Sequence, residues 1–176
     1  MFRPITTLTA LFLCLPAAAF AAGGDISTPP RAPECKDGQV MDAATRTCVD
    51  AVDSRLDDGE RLDAVRQYAY AGDLGAARAV LDAMNDQGAD GVLTYRGFTA
   101  RKGGDIGAAM GWYAAALVAN PDNILARSYK GQGHVEAGEI VQARSELMEI
   151  RMRGGQGTWA EQSLRMAIET GRGNSY

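Results

Sequence analysis

A glycine-acid-aliphatic triplet recurs at nearly constant spacing, and that recurrence restricts the fold more than any other feature of the chain. Gly104-Asp105-Ile106 is preceded by Gly72-Asp73-Leu74 and followed by Gly138-Glu139-Ile140, and Gly171 continues the series. Five positions after each triplet glycine stands an alanine (Ala77, Ala109, Ala143), and four further on a bulky side chain (Leu81, Tyr113, Leu147). Self-similarity at such a period marks stacked helix-turn-helix units, each unable to bury its apolar face alone.

Local chemistry agrees with that reading. A glycine between two helices supplies the left-handed conformation that ends the first. The acidic residue after it caps the second or sits near its positive end. Ile106, Ala109, Met110, Tyr113, Ala116 and Leu117 follow at i, i+3, i+4, i+7, i+10 and i+11, one apolar helical face. Ala109 lets two helices approach and Tyr113 fills the space beside it. Pro121 stops the helix and pushes Asn120 towards extended geometry.

Gly97, Gly104, Ala109, Tyr113, Ala116 and Pro121 fall at the positions where tetratricopeptide repeats carry their small, glycine, alanine, aromatic, alanine and proline residues. Residues 90–123 thus resemble one such repeat. Residues 124–156 resemble another through Gly131, Gly138, Ala143 and Leu147, with Ile150 where alanine is usual. Residues 58–89 resemble a third through Gly72, Ala77 and Leu81, with Val65 at the small position. The usual first-helix tryptophan is absent from all three. The resemblance implies an all-α protein, a right-handed α-solenoid of about three repeats over 51–171. Residues 158–170 supply a C-terminal capping helix in which Trp159, Leu164 and Ile168 cover the last apolar face. Residues 172–176 are expected to fray.

Ahead of the repeats, residues 1–21 carry a basic start, a short apolar run and Ala19-Phe20-Ala21, the pattern of a cleaved secretory signal peptide. Lipidation at Cys14 is disfavoured by the bulky Leu13 and by the apolar sequence that continues after it. Cleavage removes Arg3 and no acid, taking the formal net charge from −4 to −5. An acidic chain argues against nucleic acid and against adsorption to an anionic membrane. Nothing after residue 21 is long and apolar enough to insert stably in a bilayer. The expected location is the periplasm or outside the cell. Residues 22–34 read as a flexible, proline-containing linker. Cys35 and Cys48, 13 positions apart in an exported chain, are expected to pair and close a hairpin-like segment over 35–50. The acidic run 49–60 reads as a solvated helix entrance rather than a calcium loop, because its oxygens are wrongly spaced.

Catalytic and cofactor patterns are missing. His134 is the single histidine of the chain, and a packed or rim position is expected for it. No H-E-x-x-H or G-x-S-x-G occurs, and Lys130-Gly-Gln-Gly133 lacks the lysine-hydroxyl pair of a phosphate loop. No cofactor or metal and no enzymatic activity is expected. Gly131 is expected to permit close helix packing, whereas Gly133 has no explanation at this level. In a stack of this kind the first helices line a concave groove. By the repeat register Arg66, Phe98, Arg101, Lys102 and Gln132 line it, with Tyr95 and Tyr129 one step to the side. Aromatics beside cations suit an extended protein or peptide segment, or an acidic helix. Two alternatives stay open: Tyr95 and Phe98 pack between repeats, or the module self-associates through end faces carrying Trp112 and Trp159. The lysines and asparagines of the family's carboxylate clamp are not matched, so that specificity does not carry over.

Overall fold

The structure, a computed structural model, describes residues 34–173. The signal-peptide, linker and Cys14 readings therefore lie outside the described residues, as do the last three residues of the chain. Within them the fold is all-α apart from one hairpin. Strands β1 (Val40–Asp42) and β2 (Thr47–Val49) pair antiparallel, with Val40 opposite Val49. Asp42 holds the turn by accepting from the Ala44 and Thr45 N–H groups, and Cys35 and Cys48 form a disulfide. The hairpin is docked on the first helix. Val40 is fully buried in the same apolar cluster as Val65 and Tyr68. The Tyr68 hydroxyl donates to the Gln39 carbonyl at 2.9 Å.

Seven helices follow among the described residues: α1 (Asp58–Ala71), α2 (Leu74–Asp82), α3 (Asp90–Lys102), α4 (Ile106–Ala119), α5 (Ile124–Glu136), α6 (Ile140–Met152) and α7 (Trp159–Thr170). Gly72, Gly104 and Gly138 have φ of 83°, 91° and 78°, the left-handed turns expected at the triplets. Asp73 and Asp105 then accept from Ala76 and Ala108 N–H as N-caps. Glu139 makes no such cap. Its carboxylate is one methylene further from the backbone and meets His134 Nδ1 at 2.6 Å instead. Asn120 is extended (φ −142°, ψ 98°) and ends α4 before Pro121.

The helices pair as α1/α2, α3/α4 and α5/α6, and the first helices touch in succession, α1 on α3, α3 on α5, α5 on α7. Glycines set the closest approaches. A Cβ at Gly97 would overlap the Tyr113 ring, and one at Gly131 would lie 2.6 Å from Leu164. Gly133, unexplained in sequence, makes room for Met110, whose sulfur would be 3.1 Å from a Cβ there. Leu164, Ala160 and Ala167 of α7 are buried, and Trp159 and Ile168 half-buried.

One expectation, for the helix entrance, is corrected. The acidic entrance 49–60 is not simply solvated: Arg61, 3% exposed, gathers it by donating to the Ala51, Asp53 and Leu56 carbonyls. Asp58 in turn accepts from the Asn85 and Asp86 N–H groups and ties α1 to the loop after α2. At the other end of the described residues, Gly173 lies close against the side-chain ends of the Arg101–Glu136 pair.

Candidate functional site

The first-helix face is built on aromatic rings contributed at the repeat period. Tyr95 of α3 and Tyr129 of α5 stand one repeat apart and meet edge to face with centroids 6.4 Å apart. Phe98 fills the space between them, 4.9 Å from the Tyr129 ring. Tyr70, at the end of α1, joins the hydroxyls: its oxygen lies 3.0 Å from that of Tyr95 and 2.7 Å from that of Tyr129. Three helices are thus tied at one point. A polar line runs deeper along the same face. Arg101 donates to Glu136 at 2.6 Å and to Gln132 at 3.2 Å, and Gln132 donates to Ser163 of α7 at 2.8 Å. The Arg101 guanidinium sits over both the Phe98 and Tyr129 rings.

This arrangement separates the expected groove residues into two groups. Tyr95, Phe98, Arg101, Tyr129 and Gln132 are all 1–3% exposed. They form the interior of the face, and a ligand lying on the surface would not reach them. The correction has a physical cause: α1, α3 and α5 pack so closely that the rings serve as inter-helix filling. The two Nη groups of the guanidinium are taken up by Glu136 and Gln132, while its buried Nε has no hydrogen-bond partner among the described residues. Of the two readings open for Tyr95 and Phe98, the structure places them in the packed one. Arg66 and Lys102, by contrast, are exposed. Asp63 lies 3.4 Å from Arg66. Partial burial works against the Arg66 charge, but the Tyr95 hydroxyl, Asp63 and Tyr70 outweigh it and hold its pKa above the ordinary value. Lys102 moves the other way: loss of hydration, then the neighbouring Arg101, lowers its pKa against the pull of Glu136.

The Tyr113 hydroxyl is buried beside Arg101 without a well-formed hydrogen bond among the described residues. Burial pushes its pKa up, and Arg101 opposes the rise. No group of three or more His, Cys, Asp or Glu side chains able to hold a metal occurs among the described residues. No helix among them is long and apolar enough to cross a membrane. The repeat register also puts Tyr70 on this face, but its part as the hub that joins the Tyr95 and Tyr129 hydroxyls was not legible in the sequence, and Ser163 was missed because nothing in the pattern gave a signal for it. Comparison with protein-family models, with curated proteins and with solved structures returns no match to this chain.

Proposed function

We propose that the chain is a non-catalytic interaction module of tetratricopeptide type, exported to the cell envelope, whose first helices hold a segment of a partner protein. The three helix pairs would form a right-handed solenoid with α7 as its cap. Support comes from the left-handed glycines at the repeat period, from Gly97 receiving Tyr113, and from the succession of contacts between first helices. The observation that carries the binding reading is the pair of exposed cations on the first helices, Arg66 beside Tyr70 and Tyr95 of the hydrogen-bonded tyrosine floor and Lys102 beside Arg101 and Glu136. A rigid floor with cations at its edge suits a segment bearing carboxylates, since little ordering is needed on the module's side. Export is supported by the signal-like start of the sequence and by the Cys35–Cys48 bond, which persists in oxidising compartments.

The test is photo-crosslinking from position 66, position 102 and, as a control on a second helix, position 118, in an envelope fraction. Crosslinks confined to 66 and 102, and lost in Arg66→Glu/Lys102→Glu, support the reading. An identical crosslink pattern at 118 sinks it. A second reading, self-association, is favoured by the apolar exposure of the second helices, where Val118 and Val141 are 83% and 80% exposed. Sedimentation equilibrium giving a dimer that Val118→Glu dissolves would establish that reading instead.

A further inference from the structure

Away from the first-helix face, a cavity opens where α2, the C-terminal end of α3 and the start of α4 meet. Its volume is about 290 Å³, and Arg78, Arg96, Thr99, Gly103, Asp105 and Trp112 are among its walls. That is room for roughly ten waters, or for one side chain and its neighbour. Trp112 is 38% exposed, and the Arg96 guanidinium lies 5.6 Å from its ring centroid. Tryptophan and arginine together at a surface are the residue types on which protein contacts concentrate their energy.

The two arginines are not equivalent. Arg96 is occupied, donating to Asp82 at 3.0 Å and to Gln87 at 2.6 Å. Arg78 donates to the Thr99 carbonyl at 2.8 Å and forms no ion pair with a carboxylate among the described residues. Its seat is built by a glycine: a Cβ on Gly103 would lie 2.8 Å from Arg78 Nη2. A guanidinium anchored on one side by a backbone carbonyl still has donors left for a bidentate partner. The charge count selects that partner. Asp105 on the rim is committed to capping α4 through Ala108 N–H, and Asp82 stands behind Arg96. The two acids match the two arginines in number and repel a polyanion, but neither pairs with Arg78, which is left as the wall cation without an ion pair among the described residues. Thus the cavity suits a single carboxylate rather than a phosphate, and a nucleic acid or anionic membrane is disfavoured by the same two acids.

We infer that this cavity is a second docking site, for an acidic protein segment whose one carboxylate pairs with Arg78 while the adjoining apolar side chain covers Trp112. It shares no residue with the Arg66–Lys102 face and stands whether or not that face binds.

The experiment is a titration of the full chain at low salt with two blocked dipeptides, acetyl-Phe-Glu-amide and acetyl-Phe-Gln-amide, followed on the Trp112 indole N–H resonance. That resonance is assigned by its loss in Trp112→Phe. The glutamate peptide should shift it saturably, and the glutamine peptide should bind about tenfold more weakly, the worth of one charge-assisted hydrogen bond. Arg78→Gln should erase the difference, and Arg78→Lys should restore part of it, because lysine keeps the charge without the planar fork. Arg78 is exposed, so both variants should retain the wild-type helical signal. The inference is overturned if neither peptide moves the resonance, if both move it equally in the wild type, or if the glutamate preference survives in Arg78→Gln. Movement of the resonance with protein concentration alone, in the absence of either peptide, would assign the surface to a second copy and overturn it as well.

Discussion

Gly97 of the middle helix pair receives the ring of Tyr113 from its own paired helix, whereas Gly131, its counterpart in the next pair, receives Leu164 from α7. The two regions share a repeat spacing and are held by different chemistry. In the middle, one apolar cluster runs from Val40 of the hairpin to Tyr129 of α5, and Tyr95, Tyr113, Tyr129 and Phe98 are its largest fully buried members. Towards the C-terminus the cluster shrinks to Val135, Ala143, Ile150, Leu164 and Ala167. Ion pairs take over there. Glu146, 7% exposed, receives Arg127 at 3.1 Å and Lys130 at 2.7 Å, Arg153 joins Glu149 and Asp122, and Arg151 joins Glu161. The difference teaches that spacing specifies the turns and the pairing of helices, while the side chain at the aromatic position decides whether volume or charge fills the interface. With Leu147 in place of a ring, and half-buried, α6 cannot fill the gap over Gly131, so α7 does.

The largest effect should come from emptying the middle interface. Tyr113 is fully buried, so Tyr113→Ala should cost about 3–5 kcal/mol, as for other large buried rings. Leu147→Ala removes a half-buried side chain and should cost about 1–2 kcal/mol. Urea unfolding of both variants checks this. Equal losses would mean the two interfaces are packed alike.

Next in size is overfilling. Gly97→Ala drives a methyl into a ring fixed by its neighbours and should cost about 2 kcal/mol, even after the gain in helix propensity. Gly131→Ala meets the terminal methyls of a leucine, which has other rotamers available, and should cost about 1 kcal/mol. A larger loss at Gly131 would show that α7 is held more rigidly than its smaller cluster suggests.

Smaller again is the removal of charge. Glu146→Gln should cost about 1 kcal/mol, between the values for exposed and buried pairs, since Lys130 keeps some contact with water. The loss should shrink when salt is raised, whereas that of Tyr113→Ala should not. Thermal unfolding of the two variants at low and high salt separates the regions directly.

These assignments show how far the pattern alone reaches. Helix order, the left-handed glycines, the extended Asn120 and the Val40–Val49 hairpin all follow from period and turn chemistry, because those are local or periodic. The candidate face was legible only in outline. Tyr95 and Tyr129 could be placed on one face, but the distance between neighbouring first helices decides whether a ring lines a groove or fills a seam. That distance depends on contacts between helices which the pattern does not show: Gly97 receives Tyr113 of α4, Gly131 receives Leu164 of α7, and Gly133 faces Met110 of α4. Arg61 was missed for a related reason. Its partners are backbone carbonyls of a loop with no repeat, and such carbonyls leave no trace in residue type.

The smallest expected effect concerns acid, and it turns the comparison towards the entrance loop. Hydrogen bonds from the Arg55 side chain and then its backbone N–H lower the Asp53 pKa from 3.8 to about 2, burial opposing them. Since the folded value is depressed, the ionised carboxylate contributes stability above the unfolded pKa, and that contribution is lost as pH falls through the folded one. The window is therefore about pH 4 down to about pH 2. Asp58 is also lowered: burial works against it, but the Asn85 and Asp86 N–H groups and Arg61 prevail. Glu161 at the far end is lowered too, first by the Gly157 N–H and then by Arg151. Both regions should thus weaken in acid, with a difference that hydrogen exchange can resolve. In Asp53→Asn, protection of the Arg61 and Leu62 amides should drop slightly at pH 6 and change less between pH 4 and 2 than in the wild type. Amides of α7 should follow the wild-type acid curve unchanged. If α7 also lost its acid dependence in Asp53→Asn, the two ends would unfold as one unit and the contrast between them would be one of packing chemistry alone.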